Sequence, residues 1–311
     1  MILTICPNPS VDCTVELDAL NVGMLNRVRN KVETYSGKAL NVAKGVARLG
    51  EKSFATGFMF EENGKIFEHV LKKEGVEHKF VYNPGSARLN YKIIDKRSML
   101  TEINDKGCLV VKEKQEELIS LVQKLSVDCN IAVMSGSLPE GVSPEFYAEV
   151  IKVIPERVKI IIDTERENMK AALSIGREIF MVKPNIGEFE LFTEEKIRSN
   201  KDIVRAAAKY LDMGVKYVLI SLGADGAVIT DGKEGYYCKS ANVAINSTVG
   251  AGDCMVAAAC VSIEQGLPPQ ELLKRSVAAG TAAITTSGTN LFYKDKYDEI
   301  YKKISVEKIS L

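Results

Sequence analysis

Between residues 127 and 221 four short apolar runs recur at a spacing that leaves little choice of fold. Ile131-Ala132-Val133-Met134, Val158-Lys159-Ile160-Ile161-Ile162, Ile179-Phe180-Met181-Val182 and Tyr217-Val218-Leu219-Ile220 are rich in β-branched residues and nearly free of polar ones. Such runs suit strands buried on both faces. Stretches of helical period separate them, such as Asp202 to Met213, with Ile203, Ala206, Ala207, Tyr210 and Leu211 on one face. Strand and helix in alternation predict an α/β fold with a mostly parallel sheet covered by helices. Ligands of such sheets bind at the carboxyl ends of the strands.

The first hundred residues read differently. Thr14 to Leu17, Val28 to Thr34, Leu89 to Ile94 and Met99 to Ile103 are short runs bounded by turn residues such as Asn83-Pro84-Gly85 and Asp105-Lys106-Gly107. They predict a small antiparallel sheet. Two helical stretches, Ala39 to Leu49 and Gly64 to Glu74, are interleaved with them and belong to the main sheet. The small sheet is therefore expected as insertions at about 12–35 and 86–105 within a single domain spanning 1–311.

Function must then come from local groups. Lys plus Arg and Asp plus Glu both number 41 in the 311 residues, so no global field draws nucleic acid or an anionic membrane. Seven scattered cysteines without a C-x-x-C pair predict reduced thiols and neither a disulfide framework nor a zinc site. The N-terminal segment lacks a basic region and a sustained apolar run, which predicts a cytoplasmic protein.

The segment Thr248-Val249-Gly250-Ala251-Gly252-Asp253 precedes an apolar, small-residue run from Cys254 to Ser262 that suits a closely packed helix. Gly250, Ala251 and Gly252 would then stand at a helix N-terminus, where free N–H groups and the dipole hold phosphate oxygens. The simpler reading of Asp253 is an acidic residue offsetting the helix dipole. The chemical reading is a base that accepts the proton of a hydroxyl attacking a phosphoryl group. Neither common nucleotide fingerprint is present: Val32 stands where a Walker A glycine is required, and no G-x-G-x-x-G occurs.

Two further clusters share this ambiguity. Ser36-Gly37-Lys38 and Asn41 open a helix whose apolar face is Ala39, Val42, Val46 and Leu49, and they could equally meet a polyol. Lys183-Pro184-Asn185-Ile186-Gly187-Glu188 follows a buried strand. Asn185 and Glu188 can form a capping box, or Glu188 can hold Mg2+ through water.

Together these motifs resemble the PfkB carbohydrate kinases of the ribokinase-like superfamily. The resemblance covers essentially the whole chain. Ser36 to Ala43 matches the N-terminal sugar motif, Asn185 to Glu188 the Asn-x-x-Glu motif, and Ser247 to Asp253 the second signature. Asn8 to Asp12, Asn26-Arg27-Val28, Arg88 to Lys92, Thr101 to Asn104 and Ser135 to Pro139 are similar to the branch that contains 1-phosphofructokinase and tagatose-6-phosphate kinase.

That resemblance implies a three-layer ribokinase-like fold whose small sheet forms a β lid over the sugar, with ATP and Mg2+ as the nucleotide partners and a homodimer through the lid. It implies that Asp12, Gly37, Lys38 and Asn41 hold sugar hydroxyls. Arg88, with Lys38, would bind the phosphate already on the sugar, while Asn104 and Ser137 are further sugar candidates. Lys183, Asn185 and Glu188 would face phosphates and Mg2+. Ser221, Gly223, Gly226 and Thr248 would line the ATP groove, and Ala279, Ala283 and Asn290 would border adenine. Asp253 would be the base, with Gly250, Ala251 and Gly252 as its anion site. The reaction expected first is fructose 1-phosphate plus ATP giving fructose 1,6-bisphosphate, with tagatose 6-phosphate and fructose 6-phosphate as alternatives.

Ser36 and Ala39 stand where the family motif carries glycine, and they bear on substrate choice more than on kinase chemistry. A non-catalytic sugar-phosphate sensor on the same fold would be expected to lose Asp253, which is intact. A dinucleotide oxidoreductase would carry glycines after the first strand, where Pro7-Asn8-Pro9 stands instead.

Overall fold

The computed structural model describes residues 1–97, 99–286 and 291–310. In spatial order the main sheet runs Val306–Lys308, Gly235–Cys238, Ala227–Thr230, Val215–Ser221, Ile179–Val182, Lys159–Asp163, Ile131–Ser135, Ile2–Cys6, Ser53–Phe60 and Glu77–His78, with Val81–Asn83 also pairing on Ser53–Phe60. From Val215–Ser221 to Glu77–His78 every pairing is parallel, and the other three strands join antiparallel.

The all-apolar strands serve two cores at once. Ala132, Met134, Ile160 and Ile162 join one hydrophobic cluster, while Ile131, Val133 and Ile161 join the other. Period-two alternation thus feeds opposite faces, and helices close both. The second face carries the helices Ala251–Glu264 and Pro269–Ala283. Against Ala251–Glu264 the helix Lys38–Arg48 packs so closely that a Cβ on Gly45 would lie 2.6 Å from that of Ala257.

The stretch expected as one helix from Asp202 to Met213 is two, Asn200–Ala206 and Ala208–Leu211. The Tyr210 N–H donates to Ala207 at 2.9 Å, a three-residue bond that tightens the turn there. All seven cysteines are free and six are buried. No helix among the described residues is long and apolar enough to cross a membrane.

A separate four-stranded sheet runs Asn30–Ser36, Ser10–Glu16, Arg88–Ile94, Leu100–Ile103. Its outer pairings are antiparallel, and the central pair is parallel because two hairpins from distant segments meet side by side. Register sets Ser10 beside Arg88, Asp12 beside Asn90 and Thr14 beside Lys92. Every second residue therefore shares a face, which puts the polar set on one side and Cys13, Val15, Leu89 and Ile93 on the other.

Candidate active site

The carboxyl ends of the central strands and the polar face of the small sheet border one cavity of about 640 Å³. Its floor begins at the helix Ala251–Glu264. Gly250 precedes it with φ 80°, a left-handed conformation that suits glycine. The first helical bond runs from Cys254 N–H to Gly250 at 3.0 Å, so the amides of Ala251, Gly252 and Asp253 lie ahead of the ladder and can receive an anion. A Cβ on Gly252 would lie 3.2 Å from Lys183 Nζ. Lys183, paired with Asp163, thus brings a cation beside the free amides of the helix start.

Asp253 is buried in the first turn. Its Oδ2 accepts from Asn41 Nδ2 at 2.8 Å, and the same amide donates to Ser36 Oγ at 3.0 Å. Burial, with Asp163 nearby, pushes the carboxyl up to about 6, against the pull of Lys38, Asn41 and Lys183. A carboxylate serving only the helix dipole would sit in water with a lowered pKa; this one is poised to take a proton near neutral pH.

Asp163 ends the strand Lys159–Asp163 and is the anchor of the centre. Lys38 Nζ approaches its Oδ1 at 3.4 Å and Lys183 Nζ the same oxygen at 3.7 Å. Burial alone would raise the Asp163 carboxyl, but the two lysines hold it below the ordinary value. Lys38 is in turn held well above the usual lysine value, by Asp163 first, then Asp253 and Glu188, against its partial desolvation.

At the small-sheet end, Asp12 accepts from Asn90 Nδ2 at 3.1 Å and Ser10 Oγ at 3.3 Å, and pairs with Lys92 at 3.3 Å. Arg88 donates through Nη1 to Asp105 O at 3.2 Å, while its buried Nε has no partner among the described residues. Burial lowers the Arg88 pKa, opposed by Cys6, Asp12, Glu165 and Asp105. Arg88 borders the cavity, where a guanidinium fork suits phosphate oxygens. Gly37, Lys38, Asn41, Asn104 and Ser137 border the same cavity.

At the other end the capping box is real: Glu188 N–H donates to Asn185 Oδ1 at 2.8 Å and Asn185 N–H to Glu188 Oε2 at 2.9 Å. Both residues also line the cavity, as do Lys183, Ser221, Gly223, Gly226 and Thr248, so capping and cavity positions coincide. Ala279 and Ala283, expected at an adenine, are buried in the core and not on the cavity wall. Helical period is the reason: Val277, Gly280, Thr281 and Ile284 face the cavity and turn the alanines inward. Asn290 lies outside the described residues.

The sequence model of the pfkB family of carbohydrate kinases matches residues 8–296. The chain belongs to this family. A tagatose-6-phosphate kinase of Staphylococcus epidermidis is 30% identical over 311 residues, covering 99% of this chain and 100% of that one. A 1-phosphofructokinase of Vibrio cholerae is 28% identical over 309 residues, covering 99% and 97%. Among solved structures, phosphofructokinase-2 of Escherichia coli superimposes with a TM-score of 0.89 at 28% identity, covering 97% and 98%.

The three-layer ribokinase-like architecture of this carbohydrate kinase follows from the same comparison, as does its class, a phosphotransferase. Sequence motifs passed over Asp163, because a lone acidic residue ending an apolar strand belongs to no pattern. A signal existed: it is the one charged side chain at the carboxyl end of Ile160-Ile161-Ile162, where α/β sheets bind ligands. Lys92 and Asn90 lay in a recognised stretch without a role, and they hold Asp12 in place.

Proposed function

We propose that this carbohydrate kinase transfers the terminal phosphoryl group of ATP to a hexose phosphate, with fructose 1-phosphate as the first choice. The observation that carries the reading is that the cavity has two cationic ends. One gathers Lys38, Lys183 and the free amides of Ala251, Gly252 and Asp253; the other presents the Arg88 side chain to the cavity. A transferred phosphoryl group and a phosphate already on the substrate need two such ends.

In this mechanism Asp12 and Asn41 orient sugar hydroxyls, and Asp253 takes the proton of the attacking one. The amides of Ala251, Gly252 and Asp253 hold the charge that builds on the phosphoryl oxygens. The apolar wall of Val277, Ile284 and Ile245 suits a flat base. No group of three acidic, thiol or imidazole side chains able to cage a metal occurs among the described residues. Mg2+ held by waters and phosphates fits that scarcity, with Glu188 as its outer carboxylate; it would neutralise charge on the nucleotide phosphates. The small sheet acts as a lid that keeps water from the phosphoryl group.

A homodimer through the lid accords with the exposed apolar residues at its tip, Val22, Met24 and Leu25. Tagatose 6-phosphate is the second reading, favoured by the named relative. A coupled ADP-release assay with Mg-ATP against fructose 1-phosphate, tagatose 6-phosphate, fructose 6-phosphate and plain sugars tests both. Turnover confined to plain sugars would overturn the hexose-phosphate reading.

A further inference from the structure

Motif position assigns Lys38 to the sugar, but its surroundings lie elsewhere. We propose that Lys38 is a catalytic residue whose ammonium group meets the phosphoryl group in transfer, beside Lys183, and not the phosphate that the sugar brings with it. The proposal rests on the kinase reading above and assigns a role within it.

Lys38 opens the helix Lys38–Arg48, and Lys183 follows the strand Ile179–Val182. The two converge on a single oxygen, Asp163 Oδ1, at 3.4 and 3.7 Å. Their ammonium nitrogens are thus no more than 7.1 Å apart, the sum of those distances. A single carboxylate, 2% exposed, receives both ammonium groups, and so holds two cations side by side where a phosphoryl group carries several charged oxygens. Lys183 also stands against Gly252 at the start of the helix Ala251–Glu264. An anion met by both ammonium groups would therefore lie in front of the free amides, with Asp253 one residue beyond Gly252.

Arg88 keeps different company. The charged groups acting on Lys38 are Asp163, Asp253 and Glu188, and those acting on Arg88 are Cys6, Asp12, Glu165 and Asp105. Contacts agree: Arg88 bonds Asp105 O beside the small sheet, whereas Lys38 pairs with Asp163 at the end of a main-sheet strand. Accessibility agrees: the Lys38 side chain is 41% exposed and lines the cavity, whereas that of Lys183 is 5% exposed. Lys183 is buried in the floor, and Lys38 stands open to the cavity.

In the step, the sugar hydroxyl oxygen forms a bond to phosphorus while the bond from phosphorus to the bridging oxygen of ADP breaks. The electron pair leaves with ADP, and the hydroxyl proton passes to the Asp253 carboxylate. The three non-bridging oxygens remain charged throughout, between the two ammonium groups and the amides of 251–253. Asp163 touches none of the reacting atoms and is a positioning residue.

Steady-state kinetics of Lys38→Met, with Lys38→Arg and Arg88→Ala alongside, test the assignment. Lys38→Met is expected to lower kcat by about 10²-fold or more and to change KM for the hexose phosphate by less than about threefold. Lys38→Arg should recover part of kcat, and Arg88→Ala should act mainly on KM. A KM raised by about tenfold or more with kcat preserved in Lys38→Met would return Lys38 to the sugar's own phosphate.

Binding of ADP with Mg2+ and aluminium fluoride, a mimic of the phosphoryl group in transfer, gives a readout that needs no acceptor. The wild type should bind ADP more tightly with the fluoride than without, and Lys38→Met should lose that gain. A retained gain overturns the proposal whichever sugar is the substrate. If the wild type turns over no hexose phosphate but the gain depends on Lys38, the substrate reading falls and the role of Lys38 stands. Binding of ADP alone reports the fold of each variant, and Lys38→Gln replaces the methionine if that variant does not fold.

Discussion

Replacing Asp253 with asparagine separates a base from a dipole partner, because the two respond in opposite directions to loss of the charge. Burial and the nearby Asp163 lift the Asp253 carboxyl from 3.8 to about 6. Between those values the folded protein keeps a proton that the unfolded chain has released. Stability therefore falls as pH rises through this window, and the whole cost is in place above about pH 6. A displacement of about two pH units corresponds to ~3 kcal/mol. Asparagine removes the charge and can still accept from Asn41, so Asp253→Asn should be more stable than wild type at pH 8 and equal to it at pH 4. With ~2.1 cal/mol/K of unfolding entropy per residue, the 311-residue chain should gain about 4 °C in Tm at pH 8. Turnover should fall by ~10²-fold or more. Differential scanning calorimetry at the two pH values and the coupled ADP assay measure both. A lower Tm at pH 8, or turnover left nearly intact, would refute the reasoning and return Asp253 to the helix dipole.

Arg88→Ala should raise KM for hexose phosphates by ~10- to 100-fold, the loss of charge-assisted bonds, and leave plain sugars unaffected; an equal loss for both would remove Arg88 from the phosphate. Gly57→Ala should cost more than ~3 kcal/mol in chemical denaturation, since at φ 145° a Cβ would lie 1.9 Å from Cys6 O on the neighbouring strand. Leu25→Asp, at a site 78% exposed on the lid tip, should convert the dimer to monomer in light scattering; a wild type that is already monomeric contradicts the proposed interface.

Much of the main sheet was legible because its strands are buried on both faces. Ile131 to Met134 and Ile160 to Ile162 cannot be placed at a surface, and no helix of that length would explain them. The small sheet was legible as strands but not in its pairing. Nothing local tells Ser10–Glu16 to run parallel beside Arg88–Ile94 across more than seventy residues; that choice is made where both hairpins leave the main sheet. The antiparallel extension through Ala227–Thr230 and Gly235–Cys238 was equally silent.

The motifs named most of the cavity wall in advance: Asp253, Asn41, Lys38, Arg88 and Glu188 all border it. The positions off the cavity wall, and the one the motifs omitted, follow a pattern. Ala279 and Ala283 were one face away, since a helix commits its cavity side by rotation and small residues fit either side. Asp163 went unnoticed because its importance lies in who reaches it. Sequence alone determined the strand-helix alternation, the glycine-led helix start and the identity of the charged groups, all of which depend on neighbours in the chain. Only the tertiary structure decided that two lysines about 145 residues apart share one carboxylate oxygen and that Asp253 is lifted to about 6. Those outcomes depend on burial and on distance through space, which the order of residues does not contain.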